Sequence, residues 1–203
     1  QASIRALSHH IHPSDCLNVI RQFREIYPDM PIGLLLYSNL VIKPGLENFY
    51  NDSADAGVDS ILIADVPLRE ADRFIAVANQ TGIKQILIAP PNASDETLAE
   101  IGQKSKGYTY LLGRAGVTGA ETAATIPAHE LIAKLTQYKV APPLLGFGIS
   151  KPEQVKEAIS AGAAGAISGS ATVNIIETKL SQPEVMLSKL REFVSAMKQA
   201  TKK

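Results

Sequence analysis

Cysteine is almost missing from this chain: Cys16 stands alone among 203 residues. No internal disulfide is available, and a reducing, cytoplasmic setting is the expectation. There is no excess of charge of either sign, since 20 basic residues face 20 acidic ones. With no Lys/Arg run and no basic stripe interleaved with aromatics, the electrostatic footprint of a nucleic-acid binder is absent. No apolar run reaches the roughly 18 residues that span a bilayer, and no charged-then-apolar signal pattern opens the sequence, so no membrane is expected. Metal ligands are scarce too. His9, His10 and His12 cluster, but no cysteine or carboxylate stands beside them at ligand spacing. Linkers and low-complexity stretches are also absent.

What the chain does have is glycine where apolar runs stop. Residues 142–172 read P-P-L-L-G-F-G-I-S, a helical segment, then G-A-A-G-A-I-S-G-S-A-T. An apolar run that ends in glycine and leads straight into a helix is the pattern of a buried parallel strand feeding a helix. That puts Gly146, Gly148, Gly169 and Ser170 at strand C-termini, where α/β folds hold their sites. Glycine lets backbone approach a ligand closely, and a helix start offers N–H groups and the positive end of its dipole to an anion. Two such turns in consecutive units suit a phosphate; the plainer reading of each alone is a tight βα turn.

The rest of the chain repeats the rhythm. Ser14 is expected to cap a helix over residues 14–27, with Leu17, Ile20, Phe23 and Ile26 spaced for a buried stripe. Strands are expected over residues 32–37, 58–66, 85–89 and 108–112, and helices over 46–56, 69–80, 94–103, 127–138 and 183–200. Ser94 with Thr97 marks one helix start, and Ser150 with Glu153 has capping-box spacing at another. A long loop, G-R-A-G-V-T-G-A, follows the fourth strand, and loops of that length in compact domains are usually functional.

Six strands, each followed by a helix, make a parallel α/β sheet. An open dinucleotide-binding sheet would carry G-x-G-x-x-G after its first strand, and none is there. Phosphate turns in the last two units favour a (β/α)8 TIM barrel with about two strand-helix units absent, a single incomplete domain over residues 1–203. The opening A-S-I-R-A-L reads as the tail of a helix, and two further units would add about 60 residues upstream of Gln1. A barrel short of two units leaves open sheet edges.

The run G-Y-T-Y-L-L-G-R-A-G-V-T-G-A over residues 107–120, A-P-P-L-L-G-F-G-I-S from Ala141 and G-A-A-G-A-I-S-G-S-A from Gly162 together resemble the tryptophan synthase alpha chain family, as do L-L-Y-S-N and I-A-D-V-P. The resemblance runs over essentially all of the sequence. It implies a lyase of tryptophan biosynthesis that splits indole-3-glycerol phosphate into indole and glyceraldehyde 3-phosphate by a retro-aldol route. Neither metal nor cofactor is implied, and the partner is a beta subunit in an alpha2-beta2 heterotetramer.

By the same resemblance, backbone around Gly119, Phe147, Gly148, Gly169 and Ser170 receives the phosphate. Leu35, Tyr37, Leu62, Ala64, Ile88, Tyr110, Phe147 and Ile167 line an indole slot, although simple barrel-core packing explains these positions about as well. Tyr110 assists at the reacting centre, Arg114, Gly116 and Thr118 belong to a closing loop, and Asn39, Asp65 and Pro67 face the beta subunit. The family's catalytic Glu and Asp match no position in this sequence, which predicts poor cleavage by these 203 residues alone. Other phosphate-binding barrels are rivals, but an indole-glycerol-phosphate synthase needs a lysine at a strand end, which none of the six offers. A non-catalytic barrel that binds a phosphorylated ligand or only activates a partner stays open.

Overall fold

A computed structural model describes residue 4 and residues 8–112, 129–146 and 148–202. It divides into two compact units, one of residues Gln1–Leu87 and Lys104–Gly107, the other of Ile88–Gln103 and Tyr108–Lys203. In the first, β1 (Gly33–Leu36), β2 (Ser60–Ile63) and the start of β3 (Lys84–Ala89) run parallel. Leu35, Leu62 and Ile86 lie in register across the three strands. Because side chains alternate along a strand, the neighbours Leu34, Leu36, Ile61 and Ile63 point the other way. They enter an apolar cluster with Leu17, Phe49, Tyr50, Phe74 and Val77. These come from α1 (Pro13–Ile26), α3 (Leu46–Asp55) and α4 (Asp72–Thr81), while a short α2 (Ser38–Ile42) adds the fully buried Val41.

Arg24, on α1, fastens the start of this sheet. Its guanidinium donates to the carbonyls of Pro28 and Met30 at 2.7 Å each and to Gly57 O, and pairs with Asp59 at 2.7 Å. Asp59 in turn accepts the Ile32 N–H at 2.7 Å. Gly57 turns the chain out of α3 with φ +88°, and a Cβ there would lie 2.8 Å from Arg24 Nε. Only glycine suits both demands.

The second unit holds β4 (Thr109–Leu112), β5 (Pro143–Gly146) and the two-residue β6 (Gly165–Ala166), all parallel. Around them stand α5 (Asp95–Lys104), α6 (His129–Gln137), α7 (Pro152–Ser160), α8 (Ser170–Lys179) and α9 (Pro183–Gln199). Thr109, Leu111 and Leu145 are fully buried. Among the described residues no helix is long and apolar enough to cross a membrane.

Several expectations shift. The start of α1 is capped from His12, whose N–H donates to Asp15 Oδ2 at 2.9 Å, and Ser14 lies inside the first turn. Of its anticipated stripe Leu17 is buried, but Phe23 is 38% and Ile26 69% exposed. β1, β2 and β4 are shorter than their apolar runs, β3 begins one residue earlier than expected, and α2 was not foreseen. The Ser94 cap stands: its hydroxyl accepts the Thr97 N–H at 3.2 Å.

Candidate functional site

In the first unit the C-terminal ends of β1 and β2 are joined by a side chain. Asp65 accepts the Ser38 N–H on Oδ1 at 2.7 Å and the Ser38 hydroxyl on Oδ2 at 2.9 Å. Both carboxylate oxygens thus hold the first turn of α2. The expected partner-facing residues 37–39 and 65–67 therefore share one edge, with Tyr37, Asn39, Asp65 and Pro67 all exposed. Leu35 is 58% and Tyr37 56% exposed, whereas Leu62, beside Leu35 in the sheet, is buried; Ala64 is exposed. The open face at the end of β1 is apolar.

In the second unit the two glycine turns are tied together. Ser168, just after β6, donates its hydroxyl to the carbonyl of Ile149, just after β5, at 2.7 Å. The β5 turn is braced again by Gln154. Its Oε1 accepts the Ser150 and Lys151 N–H groups at 2.9 and 3.0 Å, and its Nε2 donates to Gly148 O at 3.1 Å. Gly148 has φ +80°, a left-handed conformation that disfavours any residue with a Cβ.

The capping box anticipated between Ser150 and Glu153 is displaced by one residue. Pro152 occupies the first helical position, so Lys151 is the cap and Gln154, three residues on, is the one that reaches back.

The two helix starts differ as anion sites. At α7, Pro152 has no N–H, the preceding two N–H groups are spent on Gln154, and Glu153 places a negative charge in the first turn. At α8 the sequence is Gly169-Ser170-Ala171, with no acidic residue in the first turn. A Cβ on Gly169 would meet no described atom within 4 Å. The orphan N–H groups and dipole of α8 are thus the ones open to a phosphate. Ile167, half-buried before this turn, hydrogen-bonds through its N–H to Leu145 O at 2.8 Å.

Tyr110, on β4, is 6% exposed, and its ring lies over Gly146 at the end of β5. A Cβ on Gly146 would fall 2.1 Å from Tyr110 Cζ. This glycine is demanded by a neighbour's ring, not by the turn it precedes. Ile88 is half-buried on β3. Gly119, Phe147, Arg114, Gly116 and Thr118, with the whole of the anticipated closing loop, lie outside the described residues. Among the described residues no three His, Cys, Asp or Glu side chains converge as metal ligands, and His9, His10 and His12 are exposed.

The sequence profile for "Tryptophan synthase alpha chain" matches residues 1–202. The chain belongs to the tryptophan synthase alpha chain family. A tryptophan synthase alpha chain from Vibrio vulnificus (strain YJ016) is 59% identical over 202 residues, which is 100% of this chain and 75% of that relative. One from Francisella tularensis subsp. holarctica (strain FTNF002-00 / FTA) is 57% identical over 201 residues, 99% of this chain and 75% of its own length. Among solved structures, tryptophan synthase subunit alpha from Legionella pneumophila str. Paris matches with a TM-score of 0.83 at 30% identity, covering 97% of this chain and 72% of that one. A chain of the tryptophan synthase complex from Pyrococcus furiosus matches at 0.82 and 30%, covering 96% and 76%. The six parallel strands are thus a large part of a tryptophan synthase alpha TIM barrel.

Within this chain, Gln154 and Ser168 were missed by sequence reasoning. Gln154 was legible from Pro152, which fixes where the helix begins. Ser168 carried no comparable signal: a serine in a small-residue turn reads the same whether its hydroxyl meets water or another loop.

Proposed function

We propose that this chain is the indole-3-glycerol phosphate cleaving subunit of a tryptophan synthase, acting with a beta subunit in an alpha2-beta2 assembly in the cytosol, and that residues 1–203 belong to one barrel domain. Support comes from the match along the whole chain, and a solved relative is described as part of the tryptophan synthase a2b2 complex of Pyrococcus furiosus. The observation that carries the substrate reading is the Ser168 to Ile149 hydrogen bond, which joins two glycine turns next to the open start of α8.

The reaction needs three things. A base removes the proton of the glycerol hydroxyl next to the ring. An acid protonates the ring carbon that bears the glycerol chain, which turns the ring into an electron sink. The carbon–carbon bond then breaks, leaving an aldehyde on the phosphate-bearing product while its electron pair restores the indole ring. This chain supplies the hold on the phosphate, through Gly148, Gly169 and Ser170 with Gly119 and Phe147, and so fixes the substrate for cleavage. Tyr110 assists at the reacting carbon as a hydrogen-bonding group, and the apolar slot residues take the indole ring. Arg114, Gly116 and Thr118 close over the substrate and exclude water.

Asn39, Asp65 and Pro67 meet the beta subunit. The family's catalytic Glu and Asp have no counterpart at any of the 203 positions, so cleavage by these residues alone is slow or absent.

Indole release from indole-3-glycerol phosphate tests this, measured on the 203-residue chain and on a chain extended upstream by two strand-helix units, each with beta subunit present. Release from the extended form only is the expected result. Normal turnover by the shorter chain would assign the acid–base work to a carboxylate within it, Asp65 first. Activation of the beta subunit with no cleavage by either form would leave a non-catalytic module.

A further inference from the structure

We infer that Gln154 is a positioning residue for the phosphate, acting through the backbone of residues 148–151 and not by touching the ligand. This rests on the phosphate reading of the paired turns. The carboxamide makes three backbone hydrogen bonds, two accepted and one donated, to three residues of one turn. A glutamine does this because one side of its carboxamide accepts and the other donates.

Two consequences follow for an anion. The carbonyl of Gly148 is drawn toward Gln154 Nε2, so this acceptor is occupied and does not face a phosphate. The N–H groups of Ser150 and Lys151 are spent as well, so α7 does not compete with α8 for the anion. Gln154 therefore fixes the β5 turn so that the Gly148 backbone, and not the N–H groups of Ser150 and Lys151, joins the start of α8 in facing the anion. Gly148 sits at φ +80°, and Gln154 Nε2 holds its carbonyl while the Ser168 hydroxyl holds that of Ile149, so the turn is braced from both glycine loops.

The test uses inorganic phosphate as the probe, titrated into the chain and into three variants and followed by the amide signals of the turn. Gln154→Met keeps the length and volume of the side chain and removes its hydrogen bonds. The expected result is phosphate binding weakened about tenfold, faster hydrogen exchange at the Ser150 and Lys151 amides, and a thermal midpoint close to that of the parent. Gln154→Glu keeps the acceptor for both N–H groups, so slow exchange at those amides is restored, while binding stays weakened by the lost Gly148 contact and the added charge. Glu153→Ala, one residue away and outside the brace, leaves exchange unchanged and does not weaken binding.

Equal phosphate affinity in the parent and Gln154→Met would overturn the inference and leave the phosphate site standing. Weak binding that tracks a lowered thermal midpoint in every Gln154 variant, with the Glu153 control also affected, would reduce Gln154 to a helix cap and overturn it too. No phosphate binding by the parent chain would remove the phosphate reading itself and the inference with it.

Discussion

Asp59 stands one residue before β2, and Asp65 two residues after it. Each carboxylate accepts the backbone N–H of a residue 27 positions earlier at 2.7 Å, Ile32 in one case and Ser38 in the other. The same residue type thus ties β1 to β2 at both ends, but its surroundings differ. At the start, Asp59 is paired with Arg24, and the guanidinium also gathers three carbonyls. At the finish, Asp65 has only Ser38 and no cation among the described residues, and Leu35 and Tyr37 beside it are exposed. One end is closed by complementary charge, and the other keeps its charge and its apolar surface for something else. That matches the division of labour in barrels, where the starts of strands serve stability and their ends serve function.

The largest expected effect breaks the closed end. Arg24→Ala should cost about 2–3 kcal/mol in a urea melt, because it leaves several carbonyls and Asp59 without their shared donor. A loss below about 0.5 kcal/mol would mean that water replaces the guanidinium without penalty. Next is Gly146→Ala at the open end of β5, expected to cost about 1–3 kcal/mol through overlap with the Tyr110 ring. In a Tyr110→Ala background the cost of Gly146→Ala should shrink, read as the coupling in a double-mutant cycle. A wild-type melt for Gly146→Ala alone would show that the ring does not lie there.

The comparison is sharpened most directly by two matched substitutions. Asp59→Asn should lower stability by about 1 kcal/mol more than Asp65→Asn, since only the former strands a cation. For Asp65→Asn the visible effect should be weaker association with the beta subunit at an almost unchanged thermal midpoint. Equal melts for the two variants would erase the distinction between the ends.

The smallest effect is a pH dependence near the closed end. Tyr50 is fully buried and donates to Gln85 Oε1 at the start of β3, and burial holds its hydroxyl far above the ordinary value of 10.0. Below pH 10 the hydroxyl is neutral whether the chain is folded or not. Above it the unfolded chain ionises and the folded one resists, so stability should fall as pH rises past 10. Tyr50→Phe should flatten that fall, read as the slope of the thermal midpoint against pH.

The β–α rhythm and the glycine turns were legible because each is local: an apolar run, then a breaker, then a helical period. Two helix starts were placed one or two residues off for one shared reason. Pro13 and Pro152 each occupy the first helical position, which makes His12 and Lys151 the caps and Asp15 and Gln154 the residues that reach back. A serine nearby was the weaker clue. The exposure of Phe23, Ile26, Leu35 and Tyr37 was not legible, since periodicity tells which residues share a face and not whether anything covers it. Gly146 was found as a strand-end glycine, but its reason sits 36 residues away in Tyr110, beyond any local pattern.

Arg24 also carries a consequence for time. Its bonds to Gly57 and Asp59 reach 33 and 35 residues along the chain, so this clasp closes only after β2 has come to lie beside β1, and loop closure must precede it. An interaction made that late is mostly absent from the folding transition state. Arg24→Ala should therefore leave the refolding rate nearly unchanged and speed unfolding, so the residue sets how long the folded chain lasts and not how fast it forms.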